Sequence, residues 1–129
     1  MQIMAKPATQ KAGSDIFSGD AWIDVIARGE EPSRVRVSVV RFAPGAVGQT
    51  VHVSQGIGRI QARGGEVIEI RAGDTVHTPP GEWHWHGAAP DHFMTHLAIW
   101  EAPAEGPESE WGDHVADVEY LAPTSERSR

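Results

Sequence analysis

Apolar and β-branched residues alternate with polar ones in short runs along the chain, at 22–26, 35–42, 50–53, 58–61, 67–70, 75–78 and 92–99. A period of two sends successive side chains to opposite faces, the pattern of a half-buried strand. The breaks between runs are glycine and proline rather than helix caps: Pro44-Gly45, Gly64-Gly65, Ala72-Gly73-Asp74 and Pro79-Pro80-Gly81. Many short strands joined by close turns predict an all-β barrel or sandwich. Only 107–120 has helical spacing, with Trp111, Val115 and Val118 four and three residues apart. It predicts a short C-terminal helix lying against the barrel or a partner subunit.

Composition narrows this picture. A chain of 129 residues suits one domain, with its core at about 20–102 between polar termini that carry no chemistry. At 40% apolar and 22% charged residues it can bury a core, and no internal repeat is visible. The absence of cysteine rules out disulfides and thiolate ligands, so any metal must use imidazole, carboxylate or amide groups. The net charge is −7 and the eleven basic residues are scattered, which leaves no footprint for nucleic acid. No apolar run approaches a membrane span, and the first fifteen residues lack the apolar stretch of a signal peptide. A cytoplasmic protein with a small-molecule partner is expected.

The chemistry concentrates between Arg41 and Trp100. Residues 73–84, GDTVHTPPGEWH, satisfy G-x5-P-x-G-x2-H. Gly73 opens the turn before a strand, Pro79 closes that strand, and Pro80-Gly81 makes a tight turn that aims His84 into a barrel. This string resembles the second motif of the cupin superfamily, whose fold is a double-stranded antiparallel β-barrel, or jelly roll. The first cupin motif is also traceable, with Gly45 as its opening glycine and Gln49-x6-Gly56 as its closing half, Gln standing where Glu is usual. Between Gly45 and Gln49 only Ala46, Val47 and Gly48 are present, eight residues short of the family pattern. The two histidines of the family's H-x-H are thereby missing. Eight extended residues span roughly 26 Å, a strand's worth of barrel wall.

Within the cupins, Phe42-Ala43-Pro44-Gly45-Ala46, Gly48-Gln49-Thr50, His84-Trp85-His86-Gly87-Ala88-Ala89-Pro90 and Thr95-His96-Leu97-Ala98 resemble the small manganese-dependent hydroxynitrile lyases and their relatives. The resemblance spans roughly residues 36–101 and implies cyanohydrin cleavage or synthesis. It implies His84 and Gln49 as metal ligands, His96 as the pocket base that moves the hydroxyl proton, and His86 as the group assisting the leaving cyanide. It implies a divalent ion acting as Lewis acid, Mn first and Fe, Co or Ni as alternatives. A neutral Gln in place of Glu would leave more of the ion's charge for an oxyanion.

Each of these residues has a plainer reading. His84 and His96 could be hydrogen-bonded core histidines, Gln49 a solvated amide, and His86 a surface residue. His52 and His77 alternate with β-branched neighbours and could also face inward, whereas His92 and His114 sit in turn or terminal contexts. Trp83, Trp85 and Trp100 read as core or interface anchors. Two other functions stay open: an oxygen-dependent cupin dioxygenase, if iron were bound, and a metal-free cupin that only binds a small ligand or assembles. The resemblance further implies a homodimer or homotetramer.

Overall fold

The computed structural model describes residues 1–5, 8–15, 17–42, 47–48 (backbone), 51–79, 81–108 and 111–125. Nine strands and one helical turn are described: β1 (Gln10–Lys11), β2 (Ala21–Arg28), β3 (Val35–Phe42), β4 (Val47–Gly48), β5 (Val51–Ala62), β6 (Ile68–Arg71), β7 (Thr75–Val76), β8 (His84–Ala88), β9 (Met94–Glu101) and α1 (Asp117–Tyr120). All the strand pairings are antiparallel, in the order β1-β2-β3-β9-β5-β8-β4, with β6 and β7 also pairing β5.

The long strand β5 joins the two layers. Its first half pairs β9 and β7, and its second half pairs β8 and β6. The two runs expected at 50–53 and 58–61 are therefore one strand, bent across the polar interval between them. The bend has a register shift between Val53 and Gln55, and Gly56 follows at φ 84°. A Cβ at Gly56 would run into the Phe93 carbonyl, so this corner needs glycine both for its angle and for its space.

Alternation sets the core. Ser38, Val40 and Phe42 of β3 lie opposite Ala98, His96 and Met94 of β9, and all six are buried. Across the interior, Ile60 pairs with His86 and Gly58 with Ala88. Phe17, Val51, Val53 and Ile70 complete the apolar centre.

The expected C-terminal helix is a single turn, Asp117–Tyr120. The chain before it is held extended by its own aromatics: Trp111 packs on Phe17 with ring centroids 6.0 Å apart, and Gly112 lies against the Trp83 ring. The helical turn backs β8. Tyr120 Oη donates to the Ala88 carbonyl at 2.6 Å, and the Tyr120 ring lies 5.8 Å from Trp85. Arg59 Nη1 donates to the Tyr120 carbonyl at 2.7 Å. Among the described residues no helix is long and apolar enough to cross a membrane.

Candidate functional site

The turn that was expected to aim His84 is present. Gly81 takes φ 81°, Glu82 N–H donates to the Pro79 carbonyl at 3.2 Å, and β8 starts at His84. In an extended strand His84, His86 and Ala88 share a face, here the inner one, opposite Ala62, Ile60 and Gly58. His96 arrives from the other layer, opposite Val40 of β3 and Val53 of β5. One strand thus carries the partners of both imidazoles, Val53 before the Gly56 bend and Ile60 after it.

The three imidazoles meet in the interior. His84 and His86 stack at 5.6 Å between ring centroids, and His86 meets His96 edge-on at 5.1 Å and 74°. Phe42 closes the group, 5.1 Å from His96 and 6.2 Å from His86. His86 and His96 are fully buried, and both nitrogens of each lack a hydrogen-bond partner among the described residues. Such groups are expensive to leave dry, so they mark a place built for a polar ligand rather than for stability.

Burial disfavours their charged forms. His86 is held well below the ordinary histidine range by desolvation, then by His96 and His84 beside it. Desolvation pushes His96 down to about 4, against a smaller opposing contribution from the nearby Leu97 backbone. Both rings are neutral near pH 7, each with one N–H donor and one bare acceptor nitrogen. His84 Nδ1 lies 3.2 Å from the Glu82 carbonyl, which can only accept, so Nδ1 donates there, while its buried Nε2 has no hydrogen-bond partner among the described residues.

A cavity of about 350 Å³ opens on the same inner face of β2, β3 and β9, lined by Phe17, Ile23, Val25, Arg36, Ser38 and Trp100 among others. Ser38 and Trp100 lie two strand positions from Val40 and Ala98 respectively, so the cavity sits one pleat beyond the His96 level. Its rim is fixed by Glu108, which accepts from Arg36 Nε at 3.1 Å and Trp100 Nε1 at 2.9 Å. Sequence reading assigned Trp100 no chemistry. The signal was its period of two with His96 and Ala98.

Of the expected site residues, the structure brings His84, His86 and His96 together, whereas Gln49 lies outside the described residues. His52 and His77 do not face inward as their alternation had allowed. His52 lies on the opposite face from Val51 and Val53, its Nδ1 2.8 Å from Thr75 Oγ1, and His77 is exposed past the end of β7. A metal centre is not assembled from these side chains: among the described residues no group of three or more His, Cys, Asp or Glu is placed to hold an ion.

Residues 38–100 match the family model described as a cupin domain. An (R)-mandelonitrile lyase from Granulicella tundricola is 43% identical over 121 positions, covering 88% of this chain and 92% of that protein. The chain is a cupin. A cupin-like protein from Thermotoga maritima has 32% identity and a TM-score of 0.80, over 94% of this cupin and 96% of that chain. A cupin-2 domain protein from Rhodospirillum rubrum shares the fold at TM-score 0.56 and 16% identity, over 88% and 77% of the two chains. The alignment with the lyase also bears on the missing segment. It runs over 121 positions, yet 88% of 129 residues is only about 114. This cupin thus contributes about seven residues fewer than the alignment has positions.

Proposed function

We propose that this cupin makes or breaks cyanohydrins in its barrel interior, with His96 moving the hydroxyl proton and His86 holding the departing cyanide. The observation that supports it most is the meeting of two neutral imidazoles, one from each layer, with every ring nitrogen bare. Similarity to a protein named (R)-mandelonitrile lyase supplies the reaction class.

In cleavage, the bare nitrogen of His96 accepts the hydroxyl proton as the bond between the carbinol carbon and the nitrile carbon breaks. The electron pair of that bond leaves with cyanide, and the oxygen's pair forms the carbonyl. Cyanide takes the proton back from His96 and departs as hydrogen cyanide, with a His86 N–H directed at it during transfer. Because His96 titrates only near 4, protonation does not block it above about pH 5. Dry surroundings strengthen both hydrogen bonds at the moment charge develops. The substrate's organic group takes the cavity between Phe17 and Trp100, whose volume lies within the usual range for small-molecule sites.

The divalent ion implied by the resemblance, Mn before Fe, Co or Ni, finds one surviving ligand of the described family positions, His84, and no step above passes through it. The dioxygenase alternative requires such an ion loaded as iron, and aerobic turnover would separate it from cyanide chemistry, which needs no oxygen. The homodimer or homotetramer also remains a proposal, favoured by exposed Val35 and Ile99 on the outer face of β3 and β9.

The test is release of benzaldehyde from mandelonitrile above the uncatalysed rate, compared with His96→Ala. Turnover lost in the variant supports the reading. A wild-type protein no faster than buffer leaves a cupin that binds a small ligand without transforming it.

A further inference from the structure

All seven histidines of the chain are described, and there is no cysteine. Four of them are outside the interior. His52 is bonded to Thr75, His92 Nδ1 lies 2.7 Å from Asp91, His114 contacts Ser18 Oγ, and His77 is exposed. The interior therefore has three imidazoles and no more. The segment 43–50 could add only the amide of Gln49 and the hydroxyl of Thr50, since its other residues are Ala, Pro, Gly and Val.

Tight sites for divalent ions need three or more protein donors placed to within a few tenths of an ångström. Here His84 is stacked on His86 rather than converging with it, and its Nδ1 is already turned to the Glu82 carbonyl. Using His86 and His96 as the remaining ligands would consume the nitrogens that proton transfer requires.

Resting on the cyanohydrin reading of the same pocket, we infer that this cupin works without a tightly held metal ion: without the family's H-x-H segment, the three interior imidazoles lie stacked and edge-on rather than converging on one point, and the described residues bring no further donor to them. The substrate class narrows accordingly. A divalent cation would draw anions into the pocket, whereas a pocket without one favours undissociated cyanohydrins and hydrogen cyanide. Small anions such as azide or acetate then have no cation to bind.

The experiment is elemental analysis of the full chain purified without added metal and dialysed against EDTA. It is joined by a Mn(II) titration followed by the electron-spin-resonance signal of the free ion, and by mandelonitrile cleavage before and after both treatments. The expected results are under roughly a tenth of an ion per chain, a free-Mn signal that rises from the first addition, and a rate changed less than twofold by chelator or metal. A second variant, with eight residues carrying His-x-His inserted between Ala46 and Val47, is expected to gain about one ion per chain if its circular dichroism stays native. The wild-type titration decides the matter if that variant does not fold. One ion per wild-type chain surviving dialysis overturns the inference, as does cleavage that appears only with added metal, an outcome that would leave the cyanohydrin reading standing. No ion and no cleavage under any condition sinks the cyanohydrin reading and keeps the metal-free pocket.

Discussion

The histidines of this cupin divide between two regions that treat the same side chain in opposite ways. On the rim, His52 and His92 have hydroxyl or carboxylate partners and His77 is exposed. In the interior, His86 and His96 have no hydrogen-bond partner among the described residues and are held neutral by burial. The rim satisfies the imidazole, whereas the interior leaves it with unmet hydrogen-bonding capacity and no charge. The difference comes from where the chain puts each residue, His86 and His96 on inward strand faces and the others on an outer face or in the connections, and it separates a residue that stabilises the fold from one kept at the fold's expense.

The largest expected effect breaks this comparison directly. Alanine at His96 or His86 should lower mandelonitrile cleavage about 10²- to 10⁴-fold, the usual worth of a positioned proton-transfer group, whereas His77→Ala and His92→Ala should stay within about twofold. Equal losses at rim and interior would mean the cluster is not the site.

Next in size is the effect of pH on stability. His96 has an ordinary unfolded value of 6.5 and a folded value of about 4, so between these the unfolded chain binds the extra proton. Stability should be flat above about pH 7.5 and fall as pH drops through 6.5 toward 4, by roughly 3 kcal/mol in all, with His86 adding in the same direction. Urea unfolding at several pH values measures this. His96→Leu should flatten the acid limb, and His92→Ala should leave it unchanged.

Smaller again, His86→Leu should abolish cleavage yet raise the unfolding free energy by about 1 kcal/mol, because an apolar side chain of similar size relieves two dry polar atoms. A destabilised variant would show that the imidazole is satisfied in solution. An effect of similar size on stability alone is expected at Tyr120→Phe, which removes the buried donor to the Ala88 carbonyl and should cost about 1 kcal/mol, with little change in cleavage.

Much of this architecture was legible in the chain. The run at 35–42 is β3 residue for residue, and those at 22–26 and 92–99 fall on β2 and β9. Their period of two reports a sheet with one dry face. The strand β8 was read as motif rather than strand, because its sequence alternates histidine with tryptophan and glycine instead of polar with apolar residues. The short C-terminal helix is present as one turn at Asp117–Tyr120, and ahead of it Trp111 packs on Phe17 and Gly112 lies against Trp83. At the site, the turn chemistry of Pro79 and Gly81 pointed to His84, and the spacing of two brought His86 with it. That His96 would meet them from the other layer depended on long-range pairing, which no local pattern encodes. The cavity was missed because its walls come from strands far apart in sequence, and Trp100 alone gave no sign of it.

The bend at Gly56 makes β5 a calliper. One jaw carries Val53 beside His96 and the other carries Ile60 beside His86, so a single strand reaches both imidazoles. A side chain at Gly56, which would meet the Phe93 carbonyl, would therefore disturb the placing of both rings at once.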